Sequence, residues 1–247
     1  MTVRLARLTR RAALLVAVGL RAQEQAQEEE LRVGGVRFRV VKHGEGSRRY
    51  LHIHGNENTA REVLEAHMKQ ANGTAYFVVS DTRNVTVAKG CAIDPNRMFT
   101  SEGARASLRR YNTGLTLEKQ EACEAALAQD RAAFVSRITP PGRGLLVAMH
   151  NNRAGYSVLS EVKISDAVSL GDEANPHEFM LATNEEDYRR LAAGKFNVVL
   201  QKTVRVDDGS FSVVANLRGV RYVNIEAGLG KREKQQEMLE HLERVLD

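Results

Sequence analysis

Short apolar runs alternate with longer stretches of helical character from residue 33 to the carboxyl end, and this alternation restricts the fold more than any single residue does. A chain of this kind buries its strands between helices. It favours an α/β domain with a largely parallel or mixed, twisted central sheet and helices on both faces. Residues 33–41 alternate around Gly34-Gly35 and read as a strand or hairpin. Strands are predicted over residues 50–53, 74–79, 144–149, 179–182, 197–201 and 222–225, with a weaker one over 85–87. Helices are predicted over residues 59–70, 102–110, 117–137, 185–193 and 231–246. Val63, Leu64, His67 and Met68 share a face of the first, Pro140-Pro141-Gly142 stops the third, and Asn184 can cap the fourth. Residues 165–175 read as loop and Asp207-Asp208-Gly209 as a turn.

Composition supports a folded domain. Hydrophobic residues make up 43% of the 247 and charged residues 27%, which is enough apolar material for one sizeable core. The net charge of +5 comes from 36 basic and 31 acidic residues interleaved along the chain, without a nucleic-acid recognition motif. No nucleic-acid partner is therefore expected; a basic-surface binder would reveal itself by salt-sensitive retention on DNA. The two cysteines, Cys91 and Cys123, make neither a disulfide framework nor a zinc ribbon.

The amino terminus reads as an address. Arg4, Arg7, Arg10 and Arg11 precede an apolar run over residues 12–20, followed by Arg21, Ala22 and a polar stretch. This is the pattern of a secretory signal, and Arg10-Arg11 ahead of Ala12-Ala13-Leu14-Leu15 fits a twin-arginine one. The run falls short of the ~20 apolar residues that a membrane span requires, so no span is expected in the mature chain. The expected organisation is a signal peptide over residues 1–22, a linker over 23–32 and one domain over 33–247, exported to the periplasm or beyond. The competing reading, an amphipathic first helix, leaves the protein in the cytoplasm.

The candidate chemistry follows the strands, at the sheet edge where α/β proteins build sites. His54 and Glu57, in His54-Gly55-Asn56-Glu57, are spaced so that both can turn toward one point. A catalytic zinc takes neutral nitrogen and carboxylate oxygen ligands and keeps one position open. His150, behind Leu145-Leu146-Val147-Ala148-Met149, supplies a third ligand; alone it would read as a structural histidine. Asn151 beside it is a supporting partner or a turn former. In Asp94-Pro95-Asn96-Arg97-Met98-Phe99, Arg97 offers a planar fork suited to a carboxylate and Asn96 a neutral donor, while a plain Asp-Pro turn explains the same residues. Glu226 ends an apolar strand, where a carboxylate is unfavourable unless paired or functional, and partial burial would raise its pKa toward that of a proton shuttle. Pairing with Arg221 or Lys231 is the bland alternative.

At these residues the sequence resembles the zinc carboxypeptidase superfamily, in particular its succinylglutamate desuccinylase and aspartoacylase branch. His54-Gly55-Asn56-Glu57 is similar to the zinc-binding His-Gly-Asn-Glu of that branch. Asp94-Pro95-Asn96-Arg97-Met98-Phe99 is similar to its Asp-Leu-Asn-Arg-x-Phe, with Pro95 in place of leucine. Met149-His150-Asn151 resembles its Leu-His-Asn, although Ala148 stands where an aspartate is usual, and Ile225-Glu226-Ala227-Gly228 resembles its Ile-Glu-Val-Gly. The motifs occur in family order between Tyr50 and Gly228. The resemblance implies a single α/β domain and one Zn2+ per chain held by His54, Glu57 and His150. It further implies a substrate carboxylate on Asn96 and Arg97, with Glu226 driving the attacking water.

Two departures bear on activity. Lys89 stands where the family often has the arginine that polarises the scissile carbonyl, so this role falls to Lys89 or to Arg83. The aspartoacylase branch carries a further C-terminal domain that narrows its pocket; the residues after Glu226 supply no counterpart, and a more open cleft suited to peptides is expected. The expected activity is that of a zinc metallohydrolase cleaving an amide bond near a terminal carboxylate, like a carboxypeptidase. The alternatives are an N-acyl amino acid deacylase and a catalytically weak, zinc-containing peptide-binding module.

Overall fold

A computed structural model describes residues 27–152 and 155–246. The expected signal peptide and the first residues of the expected linker lie outside the described residues. Eleven strands and seven helices follow in chain order: β1 (Gln27–Val33), β2 (Val36–His43), β3 (Arg49–His52), α1 (Asn58–His67), β4 (Gly73–Val78), β5 (Val85–Thr86), β6 (Ala92–Ile93), a 3-10 turn (Pro95–Arg97), α2 (Ser101–Tyr111), α3 (Leu117–Ile138), β7 (Leu145–Asn152), α4 (Val158–Glu161), β8 (Ala167–Ser169), β9 (Phe179–Ala182), α5 (Glu185–Ala192), β10 (Asn197–Leu200), α6 (Phe211–Arg218), β11 (Arg221–Gly228) and α7 (Arg232–Val245).

Nine strands form one mixed sheet in the order β1-β2-β4-β3-β7-β11-β9-β10-β8, and β5 pairs with β6 apart from it. The central strands β4, β3, β7 and β11 run parallel, so their carboxyl ends share one edge. Side chains of β7 alternate between two cores. Leu146 and Ala148 pack with α2, α3 and α6 on one face, whereas Leu145, Val147 and Met149 pack with α1, α5 and α7 on the other. Helices thus cover both faces, as the strand and helix pattern predicts.

The structure departs from the sequence expectation in several places. The polar stretch predicted as linker over residues 23–32 pairs from Gln27 onward as edge strand β1, register-matched to β2 from Gln27↔Lys42 to Val33↔Val36. Gly34 (φ 53°) and Gly35 (φ 86°) make the tight turn between them, in the left-handed region that a two-residue hairpin requires. The Gly34 N–H donates to Asp130 on α3, fixing the hairpin to the helix layer. An edge strand needs few apolar side chains, which is why its polar composition disguises it. Within the stretch predicted as loop, β8 forms the opposite edge. Cys91 and Cys123 are joined by a disulfide between the β5–β6 hairpin and α3, with Cα atoms 6.2 Å apart. Their separation of 32 residues carries no distance information, so only the fold brings them within bonding range. No helix among the described residues is long and apolar enough to cross a membrane.

Candidate metal centre

The site begins where β3 ends. His54 and Glu57 occupy a tight turn, closed by the Glu57 N–H donating to the His54 carbonyl at 3.1 Å, that leads into α1. Gly55 is required there by space: a Cβ on it would lie 2.2 Å from the Ser80 carbonyl oxygen, and its N–H already donates to the Thr82 carbonyl. The Glu57 carbonyl accepts from His52 Nε2 at 3.1 Å, which pins the turn to the strand below it. His52 is fully buried, and burial lowers its pKa to about 4, so it serves as a neutral donor.

His150 and Glu226 come from neighbouring strands. β7 extends through Asn152, so His150 lies within the strand and not beyond its end. It is the register partner of Glu226 on β11, and both project to the same face of the sheet, opposite Met149 and Ile225. Asn151 faces the other way. It accepts from the Ala60 N–H of α1 and donates to Gln235 of α7, whose amide donates in turn to the His150 carbonyl at 2.8 Å. Helices from two places in the chain thereby lock the backbone of one candidate ligand.

His54, Glu57 and His150 are buried, and each offers one ligand atom such that all three atoms lie within 4.8 Å of one another. His54 Nε2 meets Asp94 Oδ1 at 2.8 Å. Burial works against ionisation of Asp94, but the hydrogen bond from His54 and the guanidinium of Arg83 hold its carboxyl down at about 2. An ionised Asp94 requires Nε2 to carry the proton, and neutral His54 then presents a lone pair on Nδ1. This Nδ1 is 2.8 Å from Glu57 Oε1 yet forms no hydrogen bond, and it has no other partner. Two acceptors at that separation repel unless positive charge lies between or beside them. The titration behaviour expresses the same demand. Burial lowers the His54 imidazole, yet Glu57 and Asp94 outweigh it and hold it up at about 9. Burial raises Glu57, yet His150 and His54 outweigh it and hold the carboxyl well below the usual carboxylate range. Glu57 Oε2 lies 3.1 Å from His150 Nδ1. A divalent cation satisfies this donor set, and Asp94 behind His54 is the outer carboxylate that metal-binding histidines commonly have.

The cluster opens into a cleft of about 560 Å³, which Arg83, Asn96, Arg97, Tyr156 and Glu226 also line. Glu226 is 7% exposed, and its Oε1 accepts from Asn224 Nδ2 at 3.0 Å. Burial raises its pKa, partly offset by His150 and by the Asn224 hydrogen bond. Arg221, one bland partner for Glu226, pairs instead with Asp187. Arg83 reaches Glu57 Oε1 at 3.0 Å and Asp94 Oδ2 at 3.4 Å. Lys89 is elsewhere: it is exposed in the turn joining β5 to β6, at φ 75°, and does not line the cleft. Of these two cations, Arg83 alone lines the cleft.

Asn96 and Arg97 form the short 3-10 turn after β6, capped by Asp94 Oδ1, which accepts from the Asn96 N–H. Arg131 on α3 supports the segment by donating to the Met98 carbonyl and the Ser101 hydroxyl. Arg97 Nη1 is 2.8 Å from Asp208 Oδ2, so its guanidinium is already oriented by a carboxylate at the mouth of the cleft. Sequence reasoning gave no role to Tyr156 and Glu161, took Asp208 as part of a turn, and took Asp94 as the start of a turn and of a motif, without its link to His54. Asp94-Pro95 carried the one available signal, since a carboxylate that caps a turn beside an Asn-Arg pair can accept further hydrogen bonds, as Oδ1 does from His54.

No family model matches the chain, and no curated protein does either. Solved structures that resemble it include an aspartoacylase family protein from Mesorhizobium loti, 14% identical over 90% of this chain and 68% of that one, with a TM-score of 0.43. A metallo-carboxypeptidase from Burkholderia cenocepacia is 11% identical over 92% of this chain and 66% of that one, TM-score 0.45. A gene product from Agrobacterium tumefaciens is 16% identical over 78% and 75%, TM-score 0.44. At this level the overlap is loose, and the chemistry rests on the cluster itself.

Proposed function

We propose that this chain is a zinc-dependent hydrolase of the zinc carboxypeptidase superfamily, cleaving an amide bond next to a terminal carboxylate. One observation carries the reading: buried His54, Glu57 and His150 meet with His54 Nδ1 unpartnered, in the same cleft as Glu226 and Arg97. His54, Glu57 and His150 would hold the metal. When bound, zinc supplies Lewis acidity that lets water attack a carbonyl near neutral pH. Glu226 accepts the proton of the attacking water and returns it to the departing amine; its raised pKa suits both transfers. Arg83 stabilises the charge that develops on the carbonyl oxygen. Asn96 and the outward edge of Arg97 hold the terminal carboxylate and so position the scissile bond. The products are a carboxylate and a free amine.

A disulfide between Cys91 and Cys123 persists in an oxidising compartment, which supports export over residence in the cytoplasm. The hydrolase reading is tested with a short peptide library whose members carry either a free or an amidated carboxyl terminus, alongside N-acyl amino acids. Cleavage of the free-acid peptides, lost on chelation and restored by zinc, is expected. Hydrolysis of N-acyl amino acids alone would make the protein a deacylase. Stoichiometric zinc without any hydrolysis would reduce it to a binding module.

A further inference from the structure

Glu161, the last residue of α4, lines the cleft but takes no part in the chemistry above. It is 5% exposed. Its Oε1 accepts from the Tyr156 hydroxyl at 2.8 Å and its Oε2 from Gln201 Nε2 at 2.5 Å, and both donors are neutral. Of the other carboxylates around the cleft, Glu57 and Asp94 face Arg83 and Asp208 faces Arg97, while Glu226, beside the metal cluster and assigned to proton transfer, accepts from neutral Asn224. Among the described residues no arginine or lysine pairs with Glu161. A carboxylate buried against neutral donors alone is under-compensated, and burial accordingly raises its pKa. A ligand that brings a cation relieves the imbalance.

The surroundings define the shape of such a ligand. Ile164 and Leu181 provide apolar wall to the same cleft, and Ser210 and Ser212 add hydroxyls. Arg97 and Glu161 share one cleft, the first suited to a carboxylate and the second to an ammonium group. We propose that Glu161 is a specificity residue, selecting substrates whose carboxyl-terminal residue has a long aliphatic side chain ending in an ammonium group, of the lysine or ornithine class. The aliphatic stem packs along Ile164 and Leu181 while the head reaches Glu161, the usual division of labour in such side chains. This inference rests on the assignment of Arg97 as the carboxylate anchor.

Benzoyl-glycyl-lysine and benzoyl-glycyl-norleucine, which differ at the ammonium end, separate the possibilities when kcat/KM is measured for the wild type and for Glu161→Gln. The wild type should prefer lysine by about tenfold or more, the worth of a charge-assisted hydrogen bond. The variant should lose that preference, mainly through KM for the lysine substrate. A wild type indifferent to the ammonium group, or a variant that keeps the preference, overturns the assignment. Calorimetric binding of free L-lysine against L-norleucine to the wild type gives a readout independent of turnover and of variant folding. Tighter lysine binding without any hydrolysis would sink the hydrolase reading and leave the subsite standing. Cleavage of the norleucine substrate with equal binding of the two amino acids would do the reverse.

Discussion

His54 is bonded through Nε2 to Asp94 Oδ1 at 2.8 Å, and this one contact leaves Nδ1 as the nitrogen facing Glu57. The tautomer of the candidate ligand is therefore set by a residue forty positions away in sequence. Asp94→Asn keeps the size of the side chain and can still cap the turn at Asn96, but it removes the charge that fixes the imidazole. Zinc affinity, measured by competition with a chromophoric chelator, should fall ~10–100-fold with the fold intact. Unchanged affinity would mean that Asp94 serves the turn and not the histidine.

Gly55 admits no side chain, because a Cβ would meet the Ser80 carbonyl oxygen at 2.2 Å and the Thr82 oxygen at 2.8 Å. Both contacts are backbone and cannot swing aside. Gly55→Ala should displace the turn that carries His54 and Glu57, lowering stability by about 1–3 kcal/mol in urea titrations and weakening zinc binding with it. A variant as stable as the wild type, with its zinc affinity preserved, would show that the turn has room to spare.

Without metal, the proton on His54 is what balances the cluster. Its pKa is raised from 6.5 to about 9 in the folded chain. A raised folded value means that the contribution to stability is fully present below about 6.5 and is lost as the pH rises through about 9. Chelator-treated protein should therefore unfold at lower urea concentration at pH 9.5 than at pH 6. Zinc should remove most of that difference by taking the place of the proton. Equal pH sensitivity with and without zinc would contradict the picture.

Glu226 lies across from His150 on the adjacent parallel strand, close to the cluster without being one of its three members. Glu226→Gln retains the Asn224 contact in shape but cannot accept a proton. The rate on a free-acid peptide should drop ~10²–10⁴-fold while zinc content stays the same. Loss of zinc together with rate would make Glu226 a ligand or a structural residue instead of the base.

Much of this was legible from the chain, and the reasons for the rest are physical. The continuous apolar run of β7 announces a strand covered on both faces, and the residues that interrupt such runs, His54, His150 and Glu226, stand out because burying them is unfavourable. Edge strand β1 hides behind four polar residues, since an edge needs apolar side chains on one face only. Helix α6 hides for the opposite reason: Phe211, Val213 and Val214 are β-prone residues held helical by packing beside β11. Lys89 matches the family's arginine only by its place along the sequence, whereas the β5–β6 hairpin turns it out to solvent and Arg83, six residues earlier, faces the cluster. Glu161 and Asp208 gave no periodic signal, because turns and short helices have none to give.

On the proposed function, His54, Glu57 and His150 hold one divalent ion. Metal content of purified wild type and His150→Ala, determined by plasma emission after dialysis against a zinc buffer, tests it most directly. One zinc per wild-type chain and almost none in the variant are expected. Wild-type protein that retains no zinc, or a variant that retains as much as the wild type, would contradict this assignment.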